Sequence, residues 1–123
     1  MTSRHDLDAL LLEVLQKLPP LPHRVFIEWV DLDAVDPKAF DEKKDWAAIE
    51  GRKDGMFIGL HPLLKRAPKH VVKYLIFHEL LHLLIPPDAT GAHPRAFNVA
   101  ECLWPGYVKA CTWLDGLPGR RMR

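Results

Sequence analysis

Residues 68–87, "PKHVVKYLIFHELLHLLIPP", decide how this chain is read. Pro68 suits a first helical turn, where its missing N–H would have no partner in any case, and Pro86 with Pro87 forbids continuation. The spacing predicts a helix over residues 69–85. Beyond Lys73 that helix has almost no polar side, so its second half is expected to be buried all round. Yet this apolar half contains His78, Glu79 and His82, the pattern HExxH. Burying two imidazoles and a carboxylate is costly unless each finds a partner. A bound cation is one partner that serves all three.

His78 and His82 are four residues apart and so project from one face, one turn apart, where two ring nitrogens can reach a single ion at ~2.0 Å. Glu79 points about 100° away around the helix. It is close enough to act on a metal-activated water without taking a coordination position. Zinc suits these ligands best, and a carboxylate beside such a water can take its proton and pass it to a leaving amine. The plain alternative is a pair of core histidines bonded to backbone carbonyls with an ion-paired glutamate. The concentration of all three groups in one apolar helix favours the metal.

The rest of the chain sets the frame. With 123 residues, 48% of them hydrophobic and 27% charged, it fits one domain spanning 1–123 with a single core. A net charge of +1 gives no general attraction to nucleic acid, and the basic clusters "KRAPKHVVK" (65–73) and "GRRMR" (119–123) read as solvated surface. No apolar run reaches the ~18 residues of a membrane span, and the start "MTSRHDLDALLLEVL" is acidic where a signal peptide is basic. A cytoplasmic location is the resulting expectation. Cys102 and Cys111 are too few for a disulfide framework and form no CxxC pair, so both are expected to be reduced and buried.

Before the motif, leucines and valines at 7, 10, 11, 14, 15 and 18 form one face of a helix over residues 4–18, with Ser3 as a cap and "PPLP" as its end. Residues 25–30 read as a strand, 31–45 as a polar surface loop, and "DWAAIEGRKDGMFIGL" (45–60) as a hairpin turning at Asp54 and Gly55. His61 suits a turn, Tyr74 the core, and His5, His23 and His70 the surface. "PRAFNVAECLW" (94–104) reads as another helix, in which Phe97, Ala100, Glu101 and Trp104 share one face. Phe97 and Trp104 there read as core, while the inward Glu101 stands out as a carboxylate.

"FIGLHPLLKRAPKHVVKYLIFHELLHLL" (57–84) followed by "HPRAFNVAECLWPGYVKACTWL" (93–114) resembles the SprT-like and YgjP-like zinc metallopeptidases, a minimal gluzincin-type group. The similarity covers residues 44–114. It rests on Trp46, the strand 57–60, Leu63 and Leu64, Pro68, Tyr74, the HExxH motif, a histidine with Phe four positions on (His93, Phe97), and Pro105, Tyr107 and Trp113. Two features differ from that pattern: "DWAA" stands where the family often has Arg-Trp-Gly-Ser, and the spacer "LLIPPDATGA" between His82 and His93 is longer than usual. The resemblance implies His78, His82 and His93 as zinc ligands and Glu79 as general base. Glu101 is the alternative third ligand, or else a hydrogen-bond partner of a ligating imidazole. Tyr107 or Arg95 is a candidate oxyanion stabiliser.

The expected fold is α+β, a small antiparallel sheet against three or four helices with the HExxH helix central. The expected activity is hydrolysis of a polypeptide bound in extended form, added to the sheet edge at residues 56–60. Two other readings compete: a zinc-stabilised interaction module without turnover, and a protease acting on DNA-bound proteins, for which "GRRMR" is the only support.

Overall fold

A computed structural model describes residues 5–90 and 92–116, together with the backbone of 121–122. The fold is α+β. Helix α1 (Leu7–Leu15) turns Leu7, Leu10, Leu11 and Val14 inward, the i, i+3, i+4, i+7 stripe that an amphipathic helix buries. Its cap is Asp6, whose carboxylate accepts from the Ala9 N–H at 3.1 Å; Ser3 lies outside the described residues. The helix is therefore shorter than the expected 4–18, because the side-chain cap sits at Asp6 and the chain leaves the helix before Pro19.

Strand β1 (Val25–Trp29) is followed by the loop 30–44, then by the hairpin of β2 (Asp45–Arg52) and β3 (Gly55–Leu60). Gly55 makes the turn possible. Its φ is +150°, and a Cβ there would stand 2.4 Å from the Arg24 carbonyl oxygen, a position only glycine fills without strain. That close approach also admits β1 alongside β3. The Met56 N–H donates to Arg24 O at 2.8 Å and the Val30 N–H to Leu60 O at 2.9 Å.

The sheet order is β1-β3-β2-β4, where β4 is the two-residue Arg121–Met122 beside Asp45 and Ala47. Two expectations are corrected here. The sheet is mixed, not antiparallel: β3 is antiparallel to β2 but parallel to β1, because loop 30–44 and β2 carry the chain across before β3 inserts between them. For the same reason β3 is an interior strand with no edge to offer a peptide: β1 lies on one side of it and β2 on the other.

Alternation along the strands separates two faces. Ile58 and Leu60 of β3 and Ala47 of β2 are fully buried in the main core, and Ile27 and Ile49 pack against it. Glu28, Ala48, Glu50, Arg52, Phe57 and Gly59 lie on the opposite face. After β3, His61 caps a short 3-10 turn (Pro62–Arg66), accepting from the Leu63 N–H at 3.1 Å and donating to Glu42 O at 2.9 Å. Helix α2 (Lys69–Leu84) then packs against α1, against β2, and against two further helices, α3 (Arg95–Cys102) and α4 (Tyr107–Asp115). Contact on so many sides accounts for its missing polar face: ten residues from Val71 to Leu81 are buried.

Three side chains depart from expectation. His5 donates to Ala67 O at 2.6 Å and is part-buried, tying the start of the chain to the entry of α2. Cys102 is exposed, because the buried side of α3 is narrow and is taken by Phe97 and Glu101, and Cys111 of the helix Tyr107–Asp115 is only partly covered, the buried positions there being Ala110 and Leu114. Among the described residues no helix is long and apolar enough to cross a membrane.

Candidate metal centre

Helix α2 supplies three of the site's residues from consecutive turns. His78 is 1% exposed and Glu79 0%, with 3.9 Å between His78 Nε2 and Glu79 Oε2. His82, one turn further on, is partly exposed. The fourth residue arrives from a loop. After α2 ends at Pro86 and Pro87, Asp88 folds the chain back: its Oδ1 accepts from the Thr90 N–H at 2.8 Å, the Thr90 hydroxyl at 2.6 Å and the Ala92 N–H at 3.1 Å, while its own N–H donates to Ala92 O at 3.0 Å. These bonds hold the Asp88 carboxyl below its usual range, the Thr90 hydroxyl contributing most. The long spacer thus closes on itself and delivers His93 next to α3.

His78, His82 and His93 converge. One ring nitrogen from each lies within 4.8 Å of the other two, and the ring centroids stand 5.2, 5.0 and 4.9 Å apart in a nearly equilateral triangle. Phe97 organises this triangle. It is fully buried, stacks on His93 at 4.3 Å with an 8° interplanar angle, and meets His78 and His82 at 5.0 and 4.8 Å. The histidine with phenylalanine four positions on therefore has a physical meaning: at the start of α3 the two rings stack, and the stack fixes where His93 points.

Glu101 sits behind the triangle. Its Oε2 accepts a hydrogen bond from His78 Nδ1–H, and the carboxylate is only 8% exposed. With Nδ1 engaged there, Nε2 is the nitrogen that His78 can offer to the shared point. A carboxylate in this position fixes the ring's tautomer and orientation. Of the two roles open to Glu101 in the sequence, the geometry matches the hydrogen-bond partner.

Burial lowers the His93 pKa, reinforced by the adjacent His78. The imidazole is thereby held in its neutral form, the one that can donate a lone pair to a metal. Tyr74, one turn before His78, is fully buried with its ring 6.4 Å from His78. Burial, and then the charge of Glu101, keeps its hydroxyl protonated far above the ordinary range. Tyr107 packs edge-on against Tyr74 at 5.6 Å. Arg95 is exposed, two residues past His93. His5, His61 and His70 stand apart from the triangle, His61 serving the turn expected of it.

Asp88 is the structural contributor that sequence reading passes over. Its signal is present in "DAT", an acidic residue two before a threonine in a proline-led loop, which favours an Asx-type turn. Comparison of the chain with protein-family models, with curated proteins and with solved structures finds no match.

Proposed function

We propose that this chain is a zinc-dependent metallopeptidase of the SprT-like or YgjP-like kind. The observation that carries the reading is the convergence of His78, His82 and His93 beside the fully buried carboxylate of Glu79. Three imidazoles with no thiolate are the ligand set of a catalytic rather than a structural zinc, which uses four protein ligands and often cysteines. The Glu101 carboxylate behind His78 is the support such ligands ordinarily have.

His78, His82 and His93 would hold the ion. When bound, zinc supplies Lewis acidity, making water acidic enough to lose a proton near neutral pH and polarising the scissile carbonyl. Glu79 takes the proton from the attacking water and delivers it to the departing amine, as general base and then general acid. Its place supports this role, since the carboxylate stands 3.9 Å from His78 Nε2, on the same helix as two of the three histidines. Glu101 keeps His78 oriented throughout. The substrate class is a polypeptide bound in extended form.

Replacing Glu79 with Gln tests the reading, because it preserves size and leaves the ligands intact. Elemental analysis should still find about one zinc per chain. Hydrolysis of a peptide library, followed by mass spectrometry, should fall at least ~100-fold. Equal turnover by the variant would remove Glu79 from the reaction. Zinc binding with no hydrolysis by either protein would make the site a zinc-stabilised interaction module.

A further inference from the structure

The face of the sheet turned away from α2 carries a cavity of about 210 Å³ that has no part in the metal centre. Its floor is the outward side of the strands, with Ala48, Phe57 and Gly59. Loop 30–44 arches over it and contributes Val35, Ala39 and the buried Phe40. The loop is braced by three successive turns in which an aspartate accepts from the N–H two residues ahead: Asp31 from Asp33 at 3.1 Å, Asp36 from Lys38 at 2.9 Å and Asp41 from Lys43 at 2.9 Å. The cavity is therefore walled by a stiffened segment.

Its charge is one-sided. Among the described residues, Glu28, Asp31 and Glu50 line it against the single cation Arg52. That cation is already engaged: its guanidinium meets Glu28 at 3.0 Å and Glu50 at 2.7 Å, and lies over the Phe57 ring at 4.2 Å. An anionic ligand would have to displace two carboxylates to reach it. A ligand with an apolar stem and a cationic head need not break these pairs, because the stem can lie against Val35, Ala39 and Phe40 while the head approaches Asp31, which Arg52 does not engage, and the excess of carboxylates on the rim. The volume narrows the choice further, falling below the ~300–1,000 Å³ of sites that enclose a whole small molecule. It suits one amino-acid side chain.

We propose that this cavity is a docking site for an arginine side chain of a partner polypeptide. The planar guanidinium pairs with carboxylates at two points, and three carboxylates line the cavity. The site lies across the sheet from the three histidines and operates without the metal.

Full-length ¹⁵N-labelled protein is titrated with acetyl-Gly-Arg-Gly-amide and, separately, with its citrulline counterpart, which keeps the shape and loses the charge. The arginine peptide should shift the amide resonances of residues 28–40 and Gly59. The citrulline peptide should bind at least ~10-fold more weakly, as loss of a charge-assisted hydrogen bond implies. Asp31→Asn retains an acceptor for the turn but removes a charge, and should weaken the arginine peptide several-fold with little effect on citrulline. Equal binding of the two peptides, shifts confined to other residues, or tighter binding of acetyl-Gly-Glu-Gly-amide would overturn the proposal.

Discussion

The division of labour between His93 and Glu101 is open to a direct measurement of metal affinity. In Glu101→Ala the buried Nδ1–H of His78 loses its acceptor. An unsatisfied buried donor costs about 1–3 kcal/mol, which at ~1.36 kcal/mol per tenfold corresponds to roughly 5- to 150-fold. That brackets the ~10- to 100-fold usual when the partner of a metal-ligating imidazole is removed. Glu101→Gln keeps an oxygen acceptor without its charge, and since a charge-assisted bond is about twice as strong as a neutral one, a smaller loss of roughly 3- to 10-fold is expected. His93→Ala differs in kind, removing one of three donors and leaving two imidazoles on one helix face. It should nearly abolish zinc retention. Competitive titration against a chromogenic chelator, with the three variants and the parent side by side, gives the order parent, Glu101→Gln, Glu101→Ala, His93→Ala. If His93→Ala kept zinc like the parent while Glu101→Ala lost it, the ligand set would be His78, His82 and Glu101, and the hydrogen bond to His78 would have been misassigned.

Gly55→Ala should destabilise the fold by about 2–3 kcal/mol in urea unfolding, through a strained positive φ and a Cβ driven into Arg24 O; an unchanged midpoint would show that the β2–β3 turn is not glycine-dependent. In metal-free protein, the lowered His93 pKa means that the unfolded chain takes up a proton first as pH falls below about 6.5, so stability should rise with pH through that window and fall on its acid side. His93→Ala should flatten that slope. Burial raises the Cys111 thiol while Cys102 is exposed, so iodoacetamide at about pH 8 should label Cys102 several-fold faster. Peptide mapping by mass spectrometry would expose equal rates.

What could be read from the sequence follows the range of the physics involved. Helix α2 was legible because its signals are local: Pro68 before it, Pro86 and Pro87 after it, and an apolar run between them. The β2–β3 hairpin was legible for the same reason, through Asp54 and Gly55. The pairing of β1 with β3 was not, since Val25 and Met56 are brought together by a crossover whose direction no local pattern encodes. Consecutive strands suggest an antiparallel meander, and the short approach at Gly55 and Arg24 that seats β1 in parallel is visible only in three dimensions. The site divides in the same way. His78, Glu79 and His82 follow from helical geometry alone. His93 depended on a family resemblance, because the Asp88 turn that returns the loop is a matter of side-chain hydrogen bonds. For Glu101 the helical face was readable, but its choice between metal and imidazole depended on how closely α3 approaches α2.

That approach joins two differently supported parts of the site, one on a packed helix and one on a loop. Two of the three imidazoles and Glu79 stand on a helix whose burial comes from α1, α3, α4 and β2. The third imidazole hangs at the end of a loop, positioned by the stack on Phe97 and by the turn at Asp88. A core running from Leu7 to Leu114 supports the fold independently of the ion, unlike small zinc domains that are unfolded without it. Zinc should therefore stabilise the chain only by mass action, about 2.7 kcal/mol at a hundredfold excess over Kd, with the metal-free protein still unfolding cooperatively. In calorimetry this appears as a melting temperature that climbs with added zinc from an already folded baseline. A metal-free chain with no unfolding transition would mean that the three histidines are part of what holds the fold together, and would weaken the case for a site shaped for turnover.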